Sequence, residues 1–145
     1  MLRRFFGGEF VGGRGATGLL VLRLMFGLGL MAHGWGKIQN PFAWMGDAPV
    51  PGVLQFLAAF SEFFGGLSLI GGLFVRLSTL GIMATMLFAA VVAHSNDPFV
   101  ASGPGGSKEP ALSYFAVALC LFLTGAGTLS LDYLLFGRKN AVVAT

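Results

Sequence analysis

Apolar residues fill the chain in four long runs, about 16–35, 53–75, 77–93 and 111–131, with short polar stretches between them. A bilayer core of roughly 30 Å takes about 20 apolar residues as a helix. Each run therefore reads as one span, and the pattern predicts an all-α membrane protein, a bundle of four transmembrane helices forming one domain. Runs two and three are parted only by Arg76, and Ser78 and Thr79 follow it, which marks a tight hairpin there. Of the two stretches on the other side, 40–52 combines Pro41, Pro49 and Pro51 with Phe42 and Trp44, as an interfacial segment does. The stretch 95–110 holds Asp97–Pro98 and a Ser-Gly-Pro-Gly-Gly-Ser run, which is turn chemistry.

Charge then orients the bundle. Arg3, Arg4 and Arg14 precede the first run, Arg76 lies in the second turn, and Arg138 and Lys139 follow the fourth. The opposite side holds Lys37 and Lys108 with Asp47, Asp97 and Glu109. Basic residues collect on the cytoplasmic side of a membrane protein, so both termini are expected in the cytoplasm. Arg23 interrupts the first run, which favours a retained helix over a cleaved signal peptide.

Composition narrows the class further. Of 145 residues, 55% are hydrophobic and only 10% charged, against about a quarter charged in soluble domains. Such a chain cannot cover a water-facing surface, which excludes an ordinary soluble enzyme and a disordered segment. The net charge of +3 sits at run ends rather than along one face with aromatics, so a nucleic-acid partner is not expected. One cysteine, Cys120, allows no internal disulfide.

Polar residues inside the runs carry the candidate chemistry. Arg23 and Glu62 both lie where an unpaired charge is expensive. At 1.5 Å per residue they fall about 10 Å and about 16 Å from the inner edge. An arginine spans that gap, so the two are expected to pair. Faces at three- and four-residue steps should line the interior: Arg23, Gly27, Met31 and Gly34 on the first helix, Glu62, Gly65, Gly66, Leu69, Gly72 and Arg76 on the second. On the fourth, the face is Glu109, Ser113, Ala116, Cys120, Thr124 and Gly127. The pair reads first as a structural ion pair fixing register and second as a polar site for a quinone head group, a proton or a small substrate. A second group gathers near the outer face: His33, Lys37, His94 and Glu109, with Asp97 close by. His33 and His94 have the chemistry of haem or metal ligands, but two histidines without further donors more often make interfacial hydrogen bonds, and no metal site is expected. At the inner face, Arg76 and Asp132 suggest an ion pair or a helix cap. No Walker loop, HExxH, GxSxG or CxxC occurs.

Several segments resemble the DoxX family. Leu22–Arg23–Leu24–Met25–Phe26–Gly27 with Gly34–Trp35–Gly36–Lys37 is similar to its first helix, and Ser61–Glu62–Phe63–Phe64–Gly65–Gly66 with Gly71 to Arg76 to its second. Lys108–Glu109–Pro110–Ala111–Leu112 and Gly125 to Asp132 resemble its fourth. The resemblance implies a four-helix protein of the bacterial inner membrane. It also implies an association with respiratory and redox chemistry, in which family members serve as membrane subunits. On matching positions the family-type polar residues are Arg23, Lys37, Glu62, Arg76, Glu109 and Asp132. The leading expectation is a redox-associated membrane subunit with a quinone-accessible site, working in the lipid bilayer with a protein partner or a second copy. A small-molecule or lipid carrier and a non-catalytic assembly subunit are the alternatives.

Overall fold

The structure is a computed structural model that describes residues 10–137. The basic residues Arg3, Arg4, Arg138 and Lys139 lie outside the described residues. Among the described residues four α-helices follow one another: α1 Gly13–Gln39, α2 Gly52–Gly71, α3 Val75–Phe88 and α4 Glu109–Thr124. α3 continues as a wider π turn over Ala89–Ala93, and a second π turn occupies Tyr133–Gly137. No strand occurs among the described residues. The helix α1, the helix α2 and the α3 segment through Ala93 are long and apolar enough to cross a membrane, and α4 is a shorter apolar helix of 16 residues.

The bundle is assembled from two close pairs, α1 against α2 and α3 against α4. The first pair meets along Arg23, Gly27, Leu30 and Gly34 on one side and Glu62, Gly66 and Leu69 on the other, all buried, while Gly65 turns toward Ile82 of α3. At the crossing, a Cβ on Gly66 would stand 2.6 Å from the Gly27 carbonyl oxygen, and one on Gly27 would stand 2.7 Å from that of Gly66. Only glycine permits this approach, and in lipid such backbone contact replaces the hydrophobic drive that water supplies elsewhere. Leu30, Leu69, Val75, Ile82 and Leu121 fill the centre. Valines, leucines and phenylalanines such as Val21, Leu57, Phe60 and Leu123 point outward.

Three expectations are corrected here. The hairpin turn lies at Gly72–Phe74 rather than at Arg76: Gly72 takes the left-handed conformation, φ 66°, that ends a helix, and α3 starts at Val75. The fourth helix ends at Thr124, not near 131, because Gly125 and Gly127 turn at φ 75° each. The buried face of α4 is Ala111, Ala118 and Leu121; Glu109, Ser113, Ala116 and Cys120 are exposed instead. Small polar groups do not force that face inward, since a hydroxyl bonds its own helix: Thr124 Oγ1 donates to the Cys120 carbonyl at 2.8 Å.

Residues 125–132 form an irregular strap across one end of the bundle. The Thr128 amide donates to the Val11 carbonyl at 3.0 Å and the Asp132 amide to the Gly72 carbonyl at 2.8 Å. The beginning of α1, the α2–α3 turn and the described C-terminal end therefore share one face. Non-helical backbone at membrane depth survives only where protein satisfies it, and Gly125, Ala126 and Gly127 are all buried.

Candidate functional site

Polar side chains gather at both ends of the bundle, and they do so in combinations that the depth argument did not anticipate. Arg23 and Glu62 do not pair. Arg23 is fully buried, 0% exposed, and its guanidinium reaches toward the strap. There Nη1 donates to the Leu69 carbonyl at 3.4 Å, and Nη2 donates to the Leu129 carbonyl. Leu69 belongs to the last turn of α2, and its carbonyl also accepts from the Gly72 amide at 3.2 Å. A planar cation with several donors is suited to joining that carbonyl to the strap's.

The rest of that end works by the same principle. Asp132 caps α3 from another part of the chain, Oδ1 accepting from the Phe74 amide at 2.7 Å and Oδ2 from the Val75 amide at 3.0 Å. A carboxylate there also faces the positive end of the helix dipole. Arg76 Nε donates to the Phe122 carbonyl near the end of α4 at 3.2 Å, a cation at the negative end of that helix. This end is a set of helix caps that ties the strap down.

At the opposite end Glu62 meets Lys37. The ammonium stands 2.6 Å from Glu62 Oε1, with the carboxylate side chain 4% exposed and the lysine 25%. Lys37 reaches it because α1 runs on to Gln39, past the expected end at Trp35. Lys37 thus falls on the same stripe as Arg23, Gly27, Leu30 and Gly34, at alternating steps of four and three. The ammonium also lies 4.5 Å from the centre of the Trp44 ring, a cation–π contact. Trp44 is held by Gln55: its indole donates to the Gln55 carbonyl at 2.9 Å, and the Gln55 amide side chain bonds Met45 and Val50. Gln55, buried on α2, clips the 40–52 segment over the bundle.

Lys37 and Glu62 line a cavity of about 110 Å³ with His33, His94, Tyr114, Leu30, Met86 and Pro110. Its walls come from α1, α2, the end of α3 and α4. Of the expected outer cluster, His33, Lys37 and His94 meet here and Glu62 joins them. Glu109 does not line the cavity; it is exposed in the first turn of α4, where it complements the helix dipole. His33 stands edge-on to the Tyr114 ring, 5.9 Å between centres. His94 Nδ1 lies 2.6 Å from Asp97 Oδ2. Glu62 Oε2 is buried and has no hydrogen-bond partner. A buried carboxylate oxygen left unsatisfied beside a polar cavity is poised to accept a bond from whatever enters. No group of three or more metal-ligating side chains occurs among the described residues. Tyr114 and Gln55 were missed by sequence reasoning. Tyr114 sits in an apolar run without a charge to mark it, whereas Gln55, a lone amide one turn into α2, was a visible signal.

Together the fold and the site define a class: a small four-helix membrane bundle, strapped at one end and holding a Lys–Glu pair in a polar cavity at the other. The chain belongs to the DoxX family, whose family model matches residues 18–95. That span contains Arg23, Lys37, Glu62, Arg76 and His94. The chain is 31% identical over 122 residues to "Inner membrane protein YqjF" of Escherichia coli (strain K12), covering 82% of this chain and 92% of that protein. It is 28% identical over 131 residues to "Putative oxidoreductase CatD" of Bacillus subtilis (strain 168), covering 88% of this chain and 94% of that protein. No solved structure matches the chain.

Proposed function

We propose that this protein is the membrane subunit of a redox system in the bacterial inner membrane, both termini cytoplasmic, and that its outer cavity exchanges protons with a quinone-class head group. Electrons come from a protein partner, as the chain holds no motif for a redox cofactor of its own. One observation carries the reading: the unpartnered Glu62 oxygen beside Lys37, in a cavity that also gathers two histidines and a tyrosine. The name of the Bacillus subtilis relative supports the redox assignment.

The cavity volume sets what enters. About 110 Å³ takes a few waters at roughly 30 Å³ each, or the carbonyl-bearing edge of a ring. Pockets that enclose a whole cofactor-sized ligand run to roughly 300–1,000 Å³. A quinone would therefore present one carbonyl to the cavity and leave the rest of its ring among the helix ends. Lys37 and Tyr114 are the donors for that oxygen, and Glu62 Oε2 and the histidines accept protons. The reading gives neither His33 nor His94 an axial role toward haem. A carrier needs a route through the bundle, but Leu30, Leu69, Ile82 and Leu121, each at most 1% exposed, close the interior below the cavity.

Binding of a short-chain benzoquinone to the protein in lipid nanodiscs tests the proposal. The readout is tryptophan fluorescence, with Trp44 already over Lys37. Saturable quenching is expected, weakened at least tenfold in Lys37→Met. Quenching that rises linearly and identically in both proteins would overturn it.

A further inference from the structure

His94 lies at the edge of the cavity, where the chain leaves α3. His94 and Asp97 have side chains 40% and 33% exposed, whereas Glu62 is 4% exposed. From His94 Nδ1, held at 2.6 Å by the Asp97 carboxylate, we infer that His94 and Asp97 form a proton-relay dyad connecting the cavity to the outer aqueous phase. His94 is the transferring group and Asp97 its positioning residue. The inference rests on the proton-exchange reading above and extends it to the path the proton takes.

Three features build the dyad. The α3 helix widens into its π turn over Ala89–Ala93 immediately before His94, which shifts the register of the residue that follows; such turns recur at functional sites. The His94 ring lines the cavity while Nδ1 is engaged by Asp97, leaving Nε2 as the ring nitrogen for proton transfer. A carboxylate at one imidazole nitrogen fixes the tautomer and orientation of the other. The glycine-rich loop then closes on the pair: a Cβ at Gly106 would collide with Asp97 Oδ2 and stand 3.3 Å from His94 Nδ1. Lys108 holds the loop, its ammonium on the Ser95 carbonyl at 2.9 Å and its amide on that of Pro98 at 3.1 Å.

The step is a proton transfer without electron movement. Nε2 takes a proton released in the cavity, directly or through one of the few waters it holds. The imidazolium formed is stabilised by the Asp97 carboxylate and gives the same Nε2 proton to water at the exposed side of the ring, regenerating the starting tautomer. The charged and titratable groups around His94 are Asp97 on its own loop, Lys37 and His33 from α1, Glu62 from α2 and Tyr114 from α4. The Lys108 ammonium is on the carbonyl of Ser95, next to His94 in the chain, and Glu109 opens α4.

Nitrogen NMR of histidine-labelled full-length protein in nanodiscs tests the dyad, since two histidines are present and a His33→Gln sample assigns His94. The neutral form of His94 is expected to carry its proton on Nδ1 and leave Nε2 bare. Asp97→Asn should convert it to a mixture of tautomers in fast exchange. Gly106→Ala, which displaces the carboxylate without changing any charge, should do the same and serves if Asp97→Asn fails to fold. An unchanged tautomer in a folded variant overturns the dyad. The benzoquinone titration is run on the same samples: loss of binding in the unsubstituted protein defeats the cavity reading alone, and retained binding in Asp97→Asn isolates the relay.

Discussion

Replacing Arg23 by methionine keeps the length of the side chain and removes its bonds to the Leu69 and Leu129 carbonyls. Hydrogen bonds to charged groups contribute about 1.5–3 kcal/mol each in soluble proteins, which gives about 3–6 kcal/mol for two. Interhelical bonds measured within a bilayer average nearer about 0.6 kcal/mol, since the dissociated helices find other partners. The arginine itself is costly in lipid whether the bundle is packed or not, so its desolvation largely cancels. Two considerations place the change above the lower figure. The guanidinium is fully buried, and the strap whose carbonyl it closes has no helix to fall back on. A loss of about 2 kcal/mol is expected. Circular dichroism during titration of detergent-solubilised protein with a denaturing detergent measures it. Arg23→Lys should fall between the two proteins, because a single ammonium lacks the flat fork that spans both carbonyls. Benzoquinone binding at the far end should persist in the folded fraction. A loss below about 0.5 kcal/mol, within the usual range for surface changes, would refute the assignment of Arg23 as the anchor of the strap.

Other substitutions probe the remaining contacts. Asp132→Asn keeps one acceptor for the two amides of Phe74 and Val75 and should lower stability by about 1–3 kcal/mol, read in the same titration. Gly66→Val drives a side chain into the Gly27 carbonyl and should cost at least the roughly 1–3 kcal/mol of an overpacked core; an unchanged midpoint would mean the helices do not meet there. Gln55→Leu removes the side-chain bonds to Met45 and Val50 but keeps the carbonyl that holds Trp44, so protease cleavage within the 40–52 segment should quicken several-fold while the bundle's melting midpoint moves little.

The helix count, the approximate spans and the two inner faces of α1 and α2 were legible in the sequence. They follow from apolar run length and from glycine at three- and four-residue steps. Partner choice was less accessible. Depth arithmetic compares heights along the membrane normal, and it started α1 at Ala16 and stopped it at Trp35. In the fold α1 begins at Gly13 and carries Lys37 on its buried stripe, so the nearer cation takes Glu62. Arg23 then turns to backbone carbonyls, a class of partner that side-chain pairing overlooks. The strap was hidden for a related reason: residues 125–131 are apolar enough to read as helix, and only the spacing of Gly125 and Gly127 hints at two turns. Ser113, Cys120 and Thr124 misdirected the reading of α4 because weakly polar side chains satisfy themselves against their own helix. Large apolar Leu121 and small Ala118 set its buried face instead.

The pairing at Glu62 is the feature on which the cavity and its chemistry depend. Two thermodynamic cycles measured in one unfolding assay test it most directly, Lys37→Met with Glu62→Gln and Arg23→Met with Glu62→Gln. Contacting pairs couple by about 0.5–3 kcal/mol, while distant ones add within about 0.3–0.5 kcal/mol. Coupling above about 1 kcal/mol between Lys37 and Glu62, with additivity between Arg23 and Glu62, is the predicted outcome. Strong coupling of Glu62 to Arg23 and none to Lys37 would contradict it.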